Sequence, residues 1–551
     1  MKNHSRIIAA LLLFLAVSIS GPDVHSQRPG PRPARVEGQI LVKVRSEVLR
    51  EVAPDVIADQ VLSARSARVS SLDIGIGGDD DGLFLVQLDG TVSVEEAIDR
   101  ALQDPRVEYA EPNYLLYTQA IPNDPFFDRQ WGLFNTGASS GKVGADIGAT
   151  RMWDISQGSD DIVVAVIDTG IDVAHPDLAA NIWVNLGEIP GNGIDDDANG
   201  FADDINGWDF ALNDPSPDVE TDFHGTHVAG TVGAVGNNNL GVTGVAWRVK
   251  LMALKFIRGR SGDAANAVKA INYAVDQKKR GVNVRVINAS WSGDAPSKSL
   301  RKAIKKAGKA GILFVCAAGN GGSDFRGDDI DVTPEYPAAW SAEISSIVTV
   351  AALDRGDNLA GFSNFGRKTV NVGAPGVDIT STLPGGAYGA LNGTSMATPH
   401  VAGAAVLILS QEPNLTPEQV RERMVSKGEP VLTLASKSVS SARMNVFNAS
   451  TNTSPSAPAL GINQITANKK LLIIDGLGFV GGSTQIEING VPAPKVKYLA
   501  DFSLPGGTLS RITSKIGKDR MDALFPRGAP VTVTVVDPVT GERFSFSFTR
   551  F

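Results

Sequence analysis

Hydrophobic and polar positions divide the chain into segments of different periodicity. At the N-terminus, Lys2 and Arg6 precede an apolar run of 13 residues, Ile7–Ile19. Such a run is typical of a secretory signal peptide and is shorter than the roughly 20 residues of a membrane-spanning helix. The pattern predicts a signal peptide over residues 1–26, export of the mature protein and no membrane span.

A mixed pattern follows this N-terminal segment. Ile40, Val42 and Val44 alternate as in a half-buried strand, and Ser93 and Glu96 have the spacing of a capping box at the start of a helix. The predicted elements are a strand at 40–44, a helix at 48–64, strands at 69–74 and 83–88, a helix at 94–102 and a strand at 107–110. This β-α-β-β-α-β order predicts a ferredoxin-like α+β unit at about 37–117, with no catalytic constellation of its own.

From residue 123 to residue 449 the chain alternates between short β-branched runs and helical patterns. The strand patterns include Ile162–Ile167, Val284–Ile287 and Ile312–Cys316, and the helical patterns include Asp263–Lys279 and Ser299–Ala310. Alternating elements of these kinds predict an α/β domain in which a parallel sheet carries helices on both faces.

The last part of the chain returns to a period of two. Asn448–Pro458 is rich in Ser, Thr, Asn and Pro and is typical of a linker. Beyond it, apolar residues alternate near 486–488, 531–535 and 544–548, and the last two patterns flank a turn at Asp537–Gly541. About 90 residues of this kind predict a small all-β sandwich of the immunoglobulin-like kind.

Composition limits the function more than the fold. The 551 residues carry one cysteine, which excludes an intramolecular disulfide, and a net charge of −9, which argues against nucleic-acid binding. The charge is concentrated in one place. Between Arg151 and Arg248 there is no Lys or Arg, and Met152–Trp247 holds 17 acids, whereas the rest of the chain has a net charge of +8. This base-free segment of 96 residues needs a physical explanation.

Candidate nucleophilic chemistry depends on few histidines. Beyond the signal peptide the chain has His175, His224, His227 and His400. A nucleophilic serine requires an imidazole within hydrogen-bond reach and a carboxylate that orients the imidazole. His224 and His227 are three residues apart on a predicted helix, but a third zinc ligand and the HExxH pattern are missing. We therefore interpret His227 as a packed, hydrogen-bonded helix residue.

Three other motifs place polar groups where elements begin or end. Asp168 follows the strand Ile162–Ile167, at the kind of sheet edge where α/β proteins bind ligands. Ser395 begins an apolar helix, whose N–H groups and dipole stabilise an oxyanion. Asn320 follows the strand Ile312–Cys316 and has a side-chain amide to donate. Taken singly, each residue is also consistent with a plain turn or a helix cap.

Together these residues resemble one family. The strings VIDTGID at 166–172, HGTHVAGT at 224–231, NASWSG at 288–293, AAGNGG at 317–322 and GTSMATPHVAG at 393–403 occur in this order. The chain resembles the subtilisin-like serine endopeptidases, in which the triad also runs Asp, His, Ser. The resemblance covers about 330 residues.

The resemblance implies a role for each motif. Ser395 would be the nucleophile, His224 the general base and then acid, and Asp168 the group that orients the imidazole. Asn320 and the Ser395 backbone N–H would form the oxyanion hole. The P1 side chain of a protein or peptide substrate, on the acyl side of the scissile bond, would lie between two segments. These are formed by Ser290, Trp291, Ser292 and Gly293, and by Ala317, Ala318 and Gly319. We expect the bulky Trp291 ring to line outer subsites, and the Tyr336–Pro337 bond to be cis.

The resemblance also implies that the first unit is an inhibitory propeptide, whose end would lie along the cleft as a product. We expect self-cleavage near Tyr117–Ile121 and a mature monomer. The expected domains are a signal peptide (1–26), a propeptide (27–120), a subtilisin-like catalytic domain (121–450), a linker (451–460) and a C-terminal β-sandwich domain (461–551).

An acidic string within the base-free segment matches the D-x-D-x-N-G start of a calcium loop. Position 12 of that loop is Asn206 instead of Glu, so a closing ligand would come from elsewhere, for example Asp204. The candidate ligands are Asp195, Asp197, Asn199, Phe201, Asp203 and Asp204. The alternative is an acidic surface loop, but that many unpaired acids repel one another unless a cation lies between them.

Resemblance to calcium-dependent members of the family implies a second ion. Its candidate ligands are Asp124, Asp177, Val235, Asn238 and Val242, and Leu240 stands where some relatives use a carbonyl group. We therefore expect one or two structural Ca²⁺ ions.

Two functional interpretations follow. The first is a secreted, calcium-stabilised serine endopeptidase made as a self-processing zymogen. The second is a binding or adhesion protein with a degenerate protease fold that acts through its C-terminal domain. The complete triad and Asn320 favour the first. A metalloprotease or a sedolisin-type enzyme conflicts with the intact His224 and with the missing zinc signature.

Overall fold

The computed structural model describes residues 35–45, 68–71, 82–88, 92, 94–114, 120–219, 222–454, 461–467, 471–477, 485–489, 491–493, 496–504, 507–515, 530–536 and 543–549. The predicted signal peptide, the predicted helix at 48–64, Ser93 of the predicted capping box and the turn at Asp537–Gly541 lie outside these residues. The chain divides into two compact units, Met1–Leu116 and Tyr117–Phe551.

The described part of the first unit is a four-stranded antiparallel sheet with one helix. Its elements are β1 (Arg35–Val44), β2 (Arg68–Ser71), β3 (Leu83–Gln87), α1 (Val94–Leu102) and β4 (Val107–Tyr114). The strand order is β2-β3-β1-β4. The alternating residues Ile40, Val42 and Val44 are buried in one core with Ala97 and Ala101 of the helix. The ferredoxin-like assignment remains a prediction, because the segment of its first helix is outside the described residues.

The second unit contains the predicted large sheet. Its strands up to residue 443 are β5 (Gly158–Asp168), β6 (Gly207–Asp209), β7 (Arg248–Lys255), β8 (Ile257–Arg258), β9 (Ser261–Gly262), β10 (Val284–Ala289), β11 (Leu313–Ala317), β12 (Ile347–Leu353), β13 (Val372–Pro375), β14 (Ile379–Leu383), β15 (Ala387–Leu391), β16 (Glu429–Pro430) and β17 (Ala442–Arg443). Nine of them form one sheet in the order β16-β17-β13-β12-β11-β10-β5-β7-β6. Neighbouring strands are parallel except β16, which pairs antiparallel at one edge. This confirms the predicted parallel sheet, except that its edge strand β16 is antiparallel.

Helices cover both faces of this sheet, as predicted. They are α2 (Ala149–Trp153), α3 (His224–Gly233), α4 (Ala264–Lys279), α5 (Lys298–Lys309), α6 (Thr394–Gln411), α7 (Pro417–Ser426) and α8 (Val446–Thr451). Alternate residues of β5 point into two separate cores: Val164 and Val166 pack with α3 and α6, whereas Val163 and Ala165 pack with α4 and α5. The continuous apolar run of β5 is therefore explained by burial on both faces.

The C-terminal part contains two further antiparallel sheets. Its strands are β18 (Gly461–Ala467), β19 (Leu471–Leu477), β20 (Gln485–Ile488), β21 (Val491–Pro492), β22 (Val496–Leu504), β23 (Gly507–Lys515), β24 (Pro530–Val536) and β25 (Arg543–Thr549). The described strands form the sheets β18-β19-β23-β22 and β21-β20-β24-β25. The immunoglobulin-like assignment remains a prediction. Among the described residues, no helix combines the length and apolar character needed to cross a bilayer.

Candidate active site

The candidate catalytic groups gather at one edge of the large sheet. β5, β10 and β11 are parallel neighbours, so their carboxyl ends meet at the same edge. Asp168 is the last residue of β5, Ser290 follows β10, and Asn320 follows β11. Open α/β sheets bind ligands at such edges because the loops there diverge and leave a crevice.

The start of helix α3 packs against the end of strand β5, and this contact brings His224 beside Asp168. The Nδ1 atom of His224 lies 2.7 Å from Oδ1 of the fully buried Asp168. His224 is the first residue of α3, and a Cβ atom on Gly225 would lie 2.1 Å from the carbonyl oxygen of Gly170. Any larger residue at 225 would push the helix away from the turn after β5. The Gly225 N–H also donates to Oγ1 of Thr169 at 3.0 Å.

The environment of His224 favours its protonated form. Burial lowers the pKa of His224, but the charge and hydrogen bond of Asp168, together with the charge of Asp222, outweigh burial and raise it above the ordinary value of 6.5. The side chain is 28% exposed, so it remains accessible to a substrate.

The other two helical histidines have a different character. His227 is buried and its Nε2 lies 2.9 Å from the carbonyl oxygen of Ile379, and His400 is buried with Nδ1 2.8 Å from the carbonyl oxygen of Met396. Burial lowers the pKa of each to about 4. Both imidazoles are therefore neutral at pH 7, and His227 is the packed helix residue that the sequence predicted.

Ser395 lies beside the segment that follows β10. Its Oγ donates to the carbonyl oxygen of Ser290 at 3.0 Å, and Oγ of Ser290 donates to the carbonyl oxygen of Ser395 at 2.9 Å. Helices α3 and α6, which begin at His224 and Thr394, contact each other. Among the described residues, Ser395 forms no hydrogen bond with His224. In proteins without substrate such bonds are often long and tighten only in the complex.

The side chain of Asn320 is oriented by Thr394. The Asn320 Oδ1 atom accepts hydrogen bonds from the backbone N and from Oγ1 of Thr394, both at 2.9 Å. Because the amide oxygen is occupied in this way, the NH₂ group is left to donate elsewhere. Asn320 is exposed, and Thr394 directly precedes Ser395 at the start of α6.

The two segments expected to flank the P1 side chain differ in burial. Ser292 and Gly293 are exposed, whereas Ala317, Ala318 and Gly319 are buried. The Trp291 indole donates to the carbonyl oxygen of Ile167 at 2.8 Å and packs edge-on against Phe256, with ring centroids 5.0 Å apart. These contacts fix the orientation of the half-buried ring, and its place among the outer subsites remains a prediction.

Comparison with known proteins identifies the family. A sequence model of the subtilase family of peptidases matches residues 159–459. The chain belongs to the subtilase family. It is 34% identical over 423 residues to the thermophilic serine proteinase of Bacillus sp. (strain AK1), covering 74% of this chain and 88% of that protein. It is also 35% identical over 335 residues to subtilisin E of Bacillus subtilis (strain 168), covering 60% of this chain and 73% of that protein.

Among solved structures, a protease from Pseudoalteromonas arctica matches with 28% sequence identity and a TM-score of 0.47, covering 60% of this chain and 99% of that one.

Membership of the subtilase family makes this protein a serine endopeptidase that acts on protein substrates.

Two acids of the predicted calcium loop belong to one compact acidic group. Carboxylate oxygens of Glu188, Asp197 and Asp204 lie within 4.8 Å of one another. Asn185 donates to Oδ1 of Asp204 at 2.7 Å, and the Tyr273 hydroxyl also donates to Asp204. Burial raises the pKa of Asp204 to about 6 despite these hydrogen bonds, and the charge of Asp197 adds to the effect.

The remaining residues of the predicted loop face their own backbone or the core. Asp195 accepts from the N–H groups of Asn199 and Gly200, and Asp203 accepts from Gly191 and Gly193. Asn199 donates from Nδ2 to Asp204 at 2.8 Å and to Asp197 at 3.1 Å. The Phe201 ring packs edge-on against Trp208, Phe210 and Tyr273. Sequence reasoning missed Glu188, which lies outside the D-x-D-x-N-G string.

The second predicted group is also brought together. Nδ2 of Asn238 donates to Asp177 at 2.8 Å, and the backbone N–H of Val242 donates to the same carboxylate at 3.0 Å. The Val235 N–H donates to the backbone oxygen of Asp177 at 2.9 Å. Burial raises the pKa of Asp177, and it raises that of Asp124 with a contribution from the charge of Asp177.

Proposed function

We propose that the protein is a secreted, calcium-stabilised endopeptidase made as a self-processing zymogen, with Asp168, His224 and Ser395 as its triad. The observation that most directly supports this proposal is the 2.7 Å contact between Asp168 and His224. Ser395 and Asn320 lie at the same edge of the sheet. The N-terminal apolar run supports secretion, and the α+β unit before residue 117 supports a propeptide.

The geometry supports acyl transfer in two stages. In the first stage Ser395 attacks the scissile carbonyl carbon as His224 takes its proton, and His224 then donates that proton to the leaving amine. In the second stage water attacks the acyl-enzyme as His224 takes a proton from it, and His224 returns the proton to the Ser395 oxygen as the acid product leaves. Asp168 fixes the imidazole by accepting a hydrogen bond from Nδ1, so that Nε2 is free to act as the base. For this step the Ser395 hydroxyl must turn from the Ser290 carbonyl toward His224.

The developing oxyanion would lie between the NH₂ group of Asn320 and the backbone N–H of Ser395. We expect Asn320→Leu to lower kcat by about 10²–10³, the loss measured for the equivalent amide of subtilisin itself. KM should change little, because the lost hydrogen bond forms mainly in the transition state. Asn414→Leu, at an exposed position, is the matched control. Equal losses in the two variants would contradict the assignment.

The raised pKa of His224 gives a directional pH prediction. The base must be neutral, so kcat/KM should fall on acidification through a pKa above 6.5. Asp222→Asn removes one of the charges that raise the pKa of His224. The acidic limb of the profile of kcat/KM against pH should therefore move to lower pH. Asp161→Asn, an exposed acid at the other end of β5, should leave the limb in place. A limb that moves to higher pH in Asp222→Asn would contradict this electrostatic account.

Both acidic groups fit Ca²⁺ in their donor chemistry, which consists of oxygen atoms. Oδ1 of Asp197 is buried without a hydrogen-bond partner among the described residues, with Nη1 of Arg280 3.9 Å away. Glu188, Asp197 and Asp204 would hold one ion. Asp124, Asp177 and Asn238, with carbonyl groups of Val235 and Val242, would hold the other. Each ion would offset the repulsion among the acids that hold it, of which all but Asp124 lie in the base-free segment, and would so stabilise the loops that carry them.

A further inference from the structure

Glu335 is a carboxylate beside the proposed oxyanion group. Gly319, which precedes Asn320, has φ +99°, and a Cβ atom on it would lie 2.4 Å from Oε2 of Glu335 and 2.5 Å from Nδ2 of Asn364. The carboxylate therefore occupies the side of Gly319 where another residue would place its side chain. Gly319 belongs to one of the two segments proposed to flank the P1 side chain.

The backbone of the same loop is attached to the other flanking segment. Gly293 and Tyr336 exchange two backbone hydrogen bonds, each 2.8 Å long, and Tyr336 directly follows Glu335. The backbone of Glu335 therefore lies next to the segment of Gly293, and its carboxylate extends to Gly319. A Cβ atom on Gly293 would meet no heavy atom within 4 Å, so the space beside that segment is open.

The carboxylate of Glu335 has no partner among the described residues, whereas the carboxylates of Asp329 and Asp331 accept hydrogen bonds. Asp331 accepts from Oγ1 of Thr369 at 2.7 Å, and Asp329 accepts from the N–H of Asp331 at 3.0 Å. Glu335 is half-buried, and its carboxylate forms no hydrogen bond or ion pair with any described residue. An unpaired carboxylate at this position attracts a cationic group, and a cationic ligand would supply the hydrogen-bond donors that the described residues do not.

We propose that Glu335 selects substrates with Lys or Arg at P1, by pairing its carboxylate with the cationic end of the side chain between the two segments. This inference rests on the proposed function, because it uses the P1 position defined there. Arg pairs with a carboxylate through two parallel hydrogen bonds, and we expect it to be preferred over Lys.

The expected processing segment, Tyr117–Ile121, contains no basic residue. A tethered segment does not need an optimal P1 side chain, because effective molarities of about 10⁵ M or more compensate for a weak fit. Selectivity for basic residues therefore applies to substrates that arrive from solution.

The test compares peptides that are identical except for arginine or citrulline at P1. Citrulline has nearly the shape of arginine but no charge. With the mature wild-type protein, kcat/KM for the arginine peptide should exceed that for the citrulline peptide by about ten- to a hundredfold. Glu335→Gln should reduce this ratio to below about threefold, whereas the exposed control Glu343→Gln should keep it. The wild-type ratio should also fall at high salt.

Two outcomes separate this inference from the proposed function. If a fluorophosphonate labels Ser395 but the arginine-to-citrulline ratio is close to one, the role of Glu335 is overturned and the endopeptidase proposal stands. If nothing is labelled or cleaved, the proposed function fails. Calorimetric binding of product peptides ending in arginine or citrulline then decides the inference, since tighter binding of arginine that depends on Glu335 supports it and equal binding overturns it.

Discussion

Replacing Ser395 by Ala is expected to abolish both peptide hydrolysis and N-terminal processing. The substitution removes the attacking oxygen and leaves the surrounding backbone contacts in place. We expect kcat to fall by on the order of 10⁶, the loss known for the nucleophile of subtilisin. The half-buried hydroxyl gives up one hydrogen bond, to Ser290, so the variant should remain folded.

N-terminal sequencing and intact mass of the secreted full chain measure this effect. The wild-type protein should begin near Ile121, whereas Ser395→Ala should retain the preceding unit. Ser299→Ala, at an exposed position on α5, is the control and should mature like the wild type. Identical N-termini in wild type and Ser395→Ala would refute self-processing, and retained fluorophosphonate labelling in Ser395→Ala would refute the assigned nucleophile.

Removing calcium is expected to lower the melting temperature of the mature protein by on the order of 10 °C. One ion at a thousandfold excess over its Kd contributes about 4 kcal/mol, and each kcal/mol corresponds to roughly 2–4 °C in a domain of this size class. The physical reason is repulsion among buried acids, which the ion offsets. Differential scanning calorimetry with Ca²⁺ and with EDTA measures it, and an unchanged melting temperature would contradict the calcium account of the acidic segment.

Paired variants distinguish a metal ligand from a structural acid. Asp197→Asn should lower the melting temperature in Ca²⁺ but not in EDTA, because the amide binds the ion poorly yet relieves repulsion with Asp204. Asp177→Asn should behave in the same way at the other group. Asp128→Asn, an exposed acid, should have no effect under either condition. A loss of stability that is equal with and without Ca²⁺ would show that Asp197 acts through its hydrogen bonds alone.

Periodicity predicted the large sheet well because burial on both faces leaves a clear trace in sequence. The apolar run of β5 fits only a strand that is buried on both faces, and the spacing of α4 fits only a helix with one buried face. The connections between parallel strands bring the carboxyl ends of those strands to a common edge of the sheet. The proximity of Asp168 and Asn320 follows from that topology. The role of His227 in packing was also predictable, because the small residues around it indicate close helix contacts.

Side-chain directions at the loops were not predictable in this way. Glu188 joins Asp197 and Asp204 through a fold of the loop that no local spacing encodes. The Trp291 ring turns toward Phe256 because the indole N–H finds the Ile167 carbonyl, a partner far away in sequence. Such choices depend on which tertiary partner is within reach, and a single sequence does not reveal that partner.

The absence of Lys and Arg between Arg151 and Arg248 has a consequence for the lifetime of the enzyme. This stretch includes an open loop in which Leu186, Ile189 and Ile194 are 92%, 61% and 58% exposed. Exposed loops are where proteases nick folded proteins. If Glu335 selects basic P1 residues as proposed, the enzyme would find no preferred bond in this stretch, and its exposed acidic loops should be spared autolysis. The first nicks should instead fall at exposed basic sites such as the Arg258–Arg260 hairpin.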